Sequence, residues 1–167
     1  LQVEQALANI FVRRKDWRLA LQALQRMMDL LSEHPVCVKE LASLTPSSKS
    51  GGKPTNTIVD NDAVVVLESA YRCDLLSRQG HILLQVGAVE QAWDIFQQAK
   101  SLCSSLVEKG LISASTTSQE KLRLLLPHHY EAVQLLPAQL HANEGLFSFA
   151  CGKYDQAGEF FLSTIQE

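Results

Sequence analysis

Residues Gly80–Phe96 read GHILLQVGAVEQAWDIF, and the same framework occurs twice more, as ANIFVRRKDWRLALQAL over Ala8–Leu24 and GLFSFACGKYDQAGEFF over Gly145–Phe161. Aligned on Ala20, Ala92 and Ala157, each segment has a tiny residue twelve positions earlier: Ala8, Gly80, Gly145. Ile10, Ile82 and Phe147 stand ten positions earlier, and the turn-type residues Lys15, Gly87 and Gly152 stand five earlier. A large residue lies three before each alanine (Trp17, Val89, Tyr154) and another four after it (Leu24, Phe96, Phe161). A fixed framework that recurs in one chain is the sequence signature of a repeat architecture.

Each segment reads as a pair of helices. A glycine five residues before the alanine takes the left-handed conformation at no steric cost and so ends the first helix. The alanine marks the crossing of the two helices, and the tiny residue of the first helix admits the second from the other side. The large residues then fill the gap toward the neighbouring pair. One pair cannot bury its apolar face alone, so the pairs must stack. Apolar periodicity predicts helices over about residues 1–14, 17–32, 60–86, 88–108, 137–151 and 154–167. Pro137 is well placed to open one of them.

Composition agrees with a packed helical chain. Of 167 residues, 46% are hydrophobic, which excludes wholesale disorder. Fifteen Lys and Arg against eighteen Asp and Glu give a net charge of −3, with no basic stripe of the kind nucleic acid requires. Runs such as Ala63–Leu67 and Leu124–Pro127 are far below the roughly 20 residues of a membrane span. The sequence thus predicts no nucleic-acid partner and no direct membrane insertion. Leu1 already falls inside a helical pattern, so the chain is expected to be a piece of a longer protein. Cys37, Cys73, Cys103 and Cys151 form no Cys-x-x-Cys pair and read as small buried hydrophobes of a reducing compartment.

The three quoted segments resemble tetratricopeptide repeats, with Lys15 and Leu24 replacing Gly and Phe in the first and Glu144 replacing the usual Leu in the third. The resemblance implies an all-α solenoid of helical hairpins, an α-α superhelix, with repeats near 1–34, 73–108 and 138–167 in a single domain. The alanines are 72 and 65 residues apart, against about 34 for such a repeat, so each interval holds an insertion of about one repeat. The first insertion includes Thr45–Asn61, read as a flexible loop. The second includes the polar connector Lys109–Gln119 and an apolar helical stretch, Leu122–Leu136, broken at Pro127. The order of segments, with Leu84-Gln85-Val86-Gly87, is also similar to the C-terminal repeat region of the subunit-12 family of the trafficking protein particle (TRAPP) complex. That similarity implies an accessory subunit of a vesicle-tethering complex, cytoplasmic and peripheral at endoplasmic reticulum–Golgi membranes, with other subunits as partners. A repeat adaptor of an unrelated complex, in the cell cycle or peroxisomal import, is the alternative.

Chemical candidates are weak. His128-His129-Tyr130-Glu131 is the densest cluster, but adjacent histidines point to different faces of a helix and do not share a metal. His34, His81 and His141 are isolated, and contact with a partner suits His81 better than catalysis. Gly51-Gly52-Lys53 lacks the earlier glycine of a phosphate loop, and Pro54 stands where Ser or Thr is needed. The sequence therefore points to a non-catalytic protein with no cofactor and no metal; an enzyme using His128, Glu131 or a cysteine is the less favoured reading. Repeat domains that clamp a terminal carboxylate do so with Lys and Asn, and the matching positions here are Gln5, Asn9, Arg78, Gln139 and Asn143. Without the lysine ammonium donors a chaperone-tail receptor is not expected. The groove should be lined from the first helices by Gln2, Gln5, Asn9 and Arg13, by Arg78, His81 and Gln85, and by Asn143, Leu146 and Phe149. Of these, Arg78, Gln85, Leu146 and Phe149 are the candidate partner-binding residues. Burial of Phe149 under a further helix is equally open. Ala8, Ala20, Gly80, Ala92, Gly145 and Ala157 are the candidate repeat-packing residues.

Overall fold

The computed structural model describes residues 2–33, 61–108 and 130–166. Residues 45–60 of the expected loop, the Gly51-Gly52-Lys53 segment, the 109–119 connector, His34, Cys37 and His128-His129 lie outside the described residues. Within them the structure is all-helical: α1 (Gln2–Arg13), α2 (Trp17–Glu33), α3 (Asn61–Gln85), α4 (Val89–Glu108), α5 (Tyr130–Gln134), α6 (Leu136–Ala150) and α7 (Tyr154–Gln166). Helices α1–α2, α3–α4 and α6–α7 form three hairpins. They pack in chain order, α2 against α3 and then α4 against α6, with α3 also reaching α6. The short α5 packs on α3 and α6.

All three turns are built alike, and the column of turn-type residues explains why. Lys15, Gly87 and Gly152 have φ of 58°, 79° and 74°, in the left-handed region. In each, that residue's N–H bonds the carbonyl three residues back, and the next N–H reaches five back: Asp16 to Phe11, Ala88 to Leu83 and Lys153 to Ser148, at 2.9 Å each. This paired pattern satisfies the last carbonyls of the first helix and reverses the chain. Glycine does so without a Cβ clash, whereas Lys15 carries that strain.

The repeat-packing residues sit at the crossings. Ala8, Ala20, Ala92 and Ala157 are buried. Gly80 and Gly145 are required by an aromatic ring on the second helix of their own hairpin. A Cβ on Gly80 would lie 2.7 Å from Cδ1 and Cζ of Phe96, and one on Gly145 would lie 2.6 Å from Cε1 of Phe161. Phe96 and Phe161 therefore fill the space over the glycine of the same hairpin, where the sequence had assigned the large column to the gap between pairs. The first hairpin has Ala8 and Leu24 in these two places, one methyl more on one side and a smaller side chain on the other.

The core joins Leu24, Met27 and Leu31 of α2, Val66, Leu67 and Leu76 of α3, and Ala99 and Leu106 of α4 to Val133, Leu136 and Leu140. Of the described cysteines, Cys73 and Cys103 are buried as expected, but Cys151 is exposed, because it falls in the last hairpin turn. Among the described residues, no helix is long and apolar enough to cross a membrane.

Candidate functional site

An open cleft of about 540 Å³ lies among α1, α3, α5, α6 and the end of α7. Its floor is apolar, from Leu67, Ala70 and Tyr71 on α3, Val133 on α5 and Leu135 just after it, and Leu136, Ala138 and Ala142 on α6. Its polar edge comprises Gln5, Asp74, Arg78, Gln139 and Thr164. Helical spacing sets this arrangement: Leu67, Ala70, Tyr71, Asp74 and Arg78 recur at intervals of three and four and so form one stripe. Arg78 and Asp74 are half-exposed and joined at 2.8 Å one turn apart, which holds the guanidinium along α3.

Three of the five positions that match a carboxylate clamp, Gln5, Arg78 and Gln139, meet along this cleft. Asn9 is exposed on α1 outside the lining, and Asn143 is buried. The cleft can seat an apolar side chain of a partner and offer amide and guanidinium donors at its edge. Its one guanidinium among the described lining residues is already tied to a carboxylate, so the cleft is poorly suited to a free terminal carboxylate.

Asn143, expected in the groove, belongs instead to a buried polar chain between the second and third hairpins. Its Nδ2 donates to Ser77 Oγ at 2.8 Å, and Ser77 Oγ donates to the Cys73 carbonyl at 2.8 Å. With the amide nitrogen committed, Asn143 Oδ1 is the acceptor for His81 Nε2, 2.9 Å away. His81 thus carries its proton on Nε2, and its ring meets Phe96 edge-on at 5.7 Å. Burial lowers the His81 pKa, opposed by the Asn143 bond and the nearby Asp74 charge. Burial likewise pushes the Cys73 thiol up to about 12, so it is no thiolate at neutral pH. The expectation that His81 meets a partner in an open groove gives way to this role in joining hairpins. The reason is that α6 packs on α3 at that turn and covers the ring.

Glu144, the departure from the usual Leu, has a physical partner. Lys100 of α4 reaches it at 2.6 Å, and the pair bridges the second and third hairpins. Its signal in the sequence was a buried-type position holding a carboxylate, which demands a cation nearby. Trp93 and Phe147 make a second bridge, with ring centroids 4.5 Å apart. Tyr71, Asp74, Val133 and Thr164 were not expected in the cleft, since none stands in a repeat column.

Of the candidate partner-binding residues, Arg78 lines the cleft, while Gln85 at the end of α3 and Leu146 and Phe149 on α6 are exposed outside its lining. Phe149 stacks edge-on against Tyr154 at 5.3 Å across the last turn. His141 is partly buried on α6, and Glu131 is exposed on α5. Among the described residues, no group of three or more His, Cys, Asp or Glu could hold a metal ion. Comparison with protein-family models, with curated proteins and with solved structures finds no match to this chain.

Proposed function

We propose that this chain is a tetratricopeptide-repeat solenoid acting as a non-catalytic protein-interaction scaffold, an accessory subunit of a TRAPP-type vesicle-tethering complex. The observation that carries the scaffold reading is the threefold recurrence of one hairpin. Each has a left-handed residue at the same turn position and a buried alanine at the same crossing, and the second and third set a glycine under an aromatic ring. Stacked hairpins present their first helices along a continuous concave surface, which suits them to extended protein partners. The cleft supports that use, with an apolar floor and donors at its edge. The trafficking assignment rests on the sequence resemblance alone. Catalysis has no support in the cleft, where the titratable pair Asp74 and Arg78 is mutually engaged.

The test is affinity purification of the full-length protein, followed by mass spectrometry. Subunits of a trafficking complex should co-purify, and a double change of Arg78 and Phe149 to Ala should release them while helix content is unchanged. Recovery of no trafficking subunit with the unchanged protein refutes the assignment. Retention of the partners by the double variant refutes the choice of surface.

A further inference from the structure

The first hairpin turn carries four cations that the hairpin fold does not require. Arg13, Arg14, Lys15 and Arg18 are all exposed and fall within six residues. At the same framework positions the second turn has Gln85, Val86, Gly87 and Glu90, and the third has Ala150, Cys151, Gly152 and Asp155. Two of the four cations sit at a local cost. Lys15 holds φ at 58°, the left-handed strain that glycine avoids at the other turns. Arg18 lies in the first turn of α2, where the helix dipole favours the carboxylates that α4 and α7 have at that place, Glu90 and Asp155. Among the described residues, no carboxylate forms an ion pair with any of the four. The one acid between them, Asp16, turns Oδ1 toward the Leu19 N–H at 3.5 Å.

The three turns share one edge of the stack. Ser32 near the end of α2 meets Arg72 in the first half of α3, while Leu21 near its start shares a pocket with Leu83 near the end of α3. Trp93 at the start of α4 likewise meets Phe147 near the end of α6. Neighbouring helices of adjacent hairpins therefore run antiparallel, and their turns lie side by side. The described stretches begin and end at the opposite edge, at residues 2, 33, 61, 108, 130 and 166, at least about 18 Å away along the helices. The residues between those stretches carry no excess of acid: 34–60 hold Lys39, Lys49 and Lys53 against Glu40 and Asp60, and 109–129 hold Lys109, Lys121 and Arg123 against Glu120. On a chain of net charge −3, the first turn is a confined positive site whose matching charge must be brought by a partner.

We propose that the first turn docks an acidic protein segment, a short stretch with several Asp or Glu side chains. The proposal rests on the scaffold reading, and on neither the trafficking assignment nor the cleft. The neighbouring turns select this partner among polyanions. A nucleic-acid duplex or an anionic membrane would extend along the edge and meet Glu90 and Asp155, where Lys153 is the one cation. A short segment meets the four cations alone. Arg13, Arg14 and Arg18 offer forked donors that match carboxylates with paired hydrogen bonds. Two helix ends and a hydrogen-bonded turn hold their backbone in place, so docking orders side chains but no loop.

Fluorescence anisotropy of a labelled peptide of alternating Glu and Gly, titrated with the purified 167-residue chain, tests this. The peptide should bind at about 50 mM salt and lose about tenfold in affinity at about 300 mM, and its Gln counterpart should not bind. Arg14→Glu with Arg18→Glu should weaken binding by about tenfold or more, while Arg26→Glu with Lys153→Glu, of equal net charge, should change it by less than about twofold. All four positions are exposed, so both variants should keep their helix content. Lys15→Gly should weaken binding by about threefold and yet raise the unfolding midpoint, a split that a purely structural role for Lys15 does not produce. A Glu peptide that fails to bind overturns the proposal, as do equal losses in the two charge-matched variants. So does tighter binding, through the same arginines, of a DNA duplex or of phosphatidylserine vesicles. Since the probe is a defined peptide, any of these results leaves the co-purification test of the scaffold standing.

Discussion

The contact between Gly80 and Phe96 can be tested by converting it to the chemistry of the first hairpin. Gly80→Ala alone has two opposed effects. Alanine is the better helix former by about 0.8–1 kcal/mol. Its methyl, however, would sit 2.7 Å or less from three carbons of the Phe96 ring, which is 2% exposed and has nowhere to retreat. Overpacking of a filled core costs typically about 1–3 kcal/mol, so the net expectation is a loss of up to about 2 kcal/mol. Phe96→Leu alone removes ring volume from the same contact and should cost about 1–2 kcal/mol through the void it leaves. Together the two substitutions reproduce Ala8 over Leu24, and the added methyl fills the vacated volume. The double variant should therefore be more stable than the sum of the singles by about 1 kcal/mol or more, the range seen for residues in direct contact.

Chemical denaturation of the four proteins, with free energies from the transition midpoints, measures the coupling. Gly158→Ala is the control. It is a helical glycine with nothing within 4 Å of an added Cβ, so only propensity acts and stability should rise by up to about 1 kcal/mol. Additive losses at Gly80 and Phe96 would mean that the ring and the glycine do not share the contact, and the account of the small-residue column would fail.

Three further expectations follow from single interactions. Lys15→Gly should stabilise the chain by about 1 kcal/mol, because it relieves a left-handed lysine in a turn that uses glycine at both other positions; a loss in thermal unfolding would contradict the strain. Lys100→Met should cost about 1 kcal/mol, discounted because the lysine is half-exposed, by leaving the Glu144 carboxylate unpaired, and adding Glu144→Leu should recover it; a double variant as weak as the single would assign the loss to the lysine's own packing. His81 has its pKa lowered by burial, so the unfolded chain takes up the proton first: its contribution is complete above the ordinary value of 6.5 and is lost as pH falls below it toward the folded value. Stability measured from pH 7.5 to 5 should fall less steeply in His81→Asn than in the unchanged chain, and equal slopes would remove His81 as the cause.

The hairpins were legible because their requirements act through residue type at fixed spacing. A left-handed turn favours glycine, and a close helix crossing needs alanine or glycine, so the columns at Gly87, Gly152, Ala20, Ala92 and Ala157 could be read without coordinates. Helix positions followed from the same columns, and the residues Tyr130–Gln134 of the apolar stretch after Pro127 form the short α5. The cleft was half legible. Arg78, Gln5 and Gln139 follow from which helix faces inward, but Tyr71, Val133 and Thr164 depend on where α5 and the end of α7 come to rest, and no repeat column encodes that. Asn143 misled because one face of α6 is shared: whether a polar side chain there meets solvent or the neighbouring hairpin is decided by a rotation smaller than one residue's turn. His81 was misplaced for the same reason, since the pair is covered together.

The buried chain from His81 through Asn143 and Ser77 to the Cys73 carbonyl, with Lys100 and Glu144 beside it, explains how hairpins of nearly equal shape keep their order. Apolar faces of three similar hairpins would pack in several registers with little difference in energy, because hydrophobic contact is not directional. Each buried polar group instead has a partner in one arrangement and lacks it in the others, at a cost of about 1–3 kcal/mol for every donor or acceptor left without one. Asn143 has one seat in which Nδ2 finds a hydroxyl and Oδ1 finds an imidazole N–H. Shifting α6 along α3 by one turn would break both bonds and part Glu144 from Lys100. At this joint the apolar residues supply adhesion that any neighbouring hairpin could use, and the polar edge fixes the seat of the third hairpin on the second.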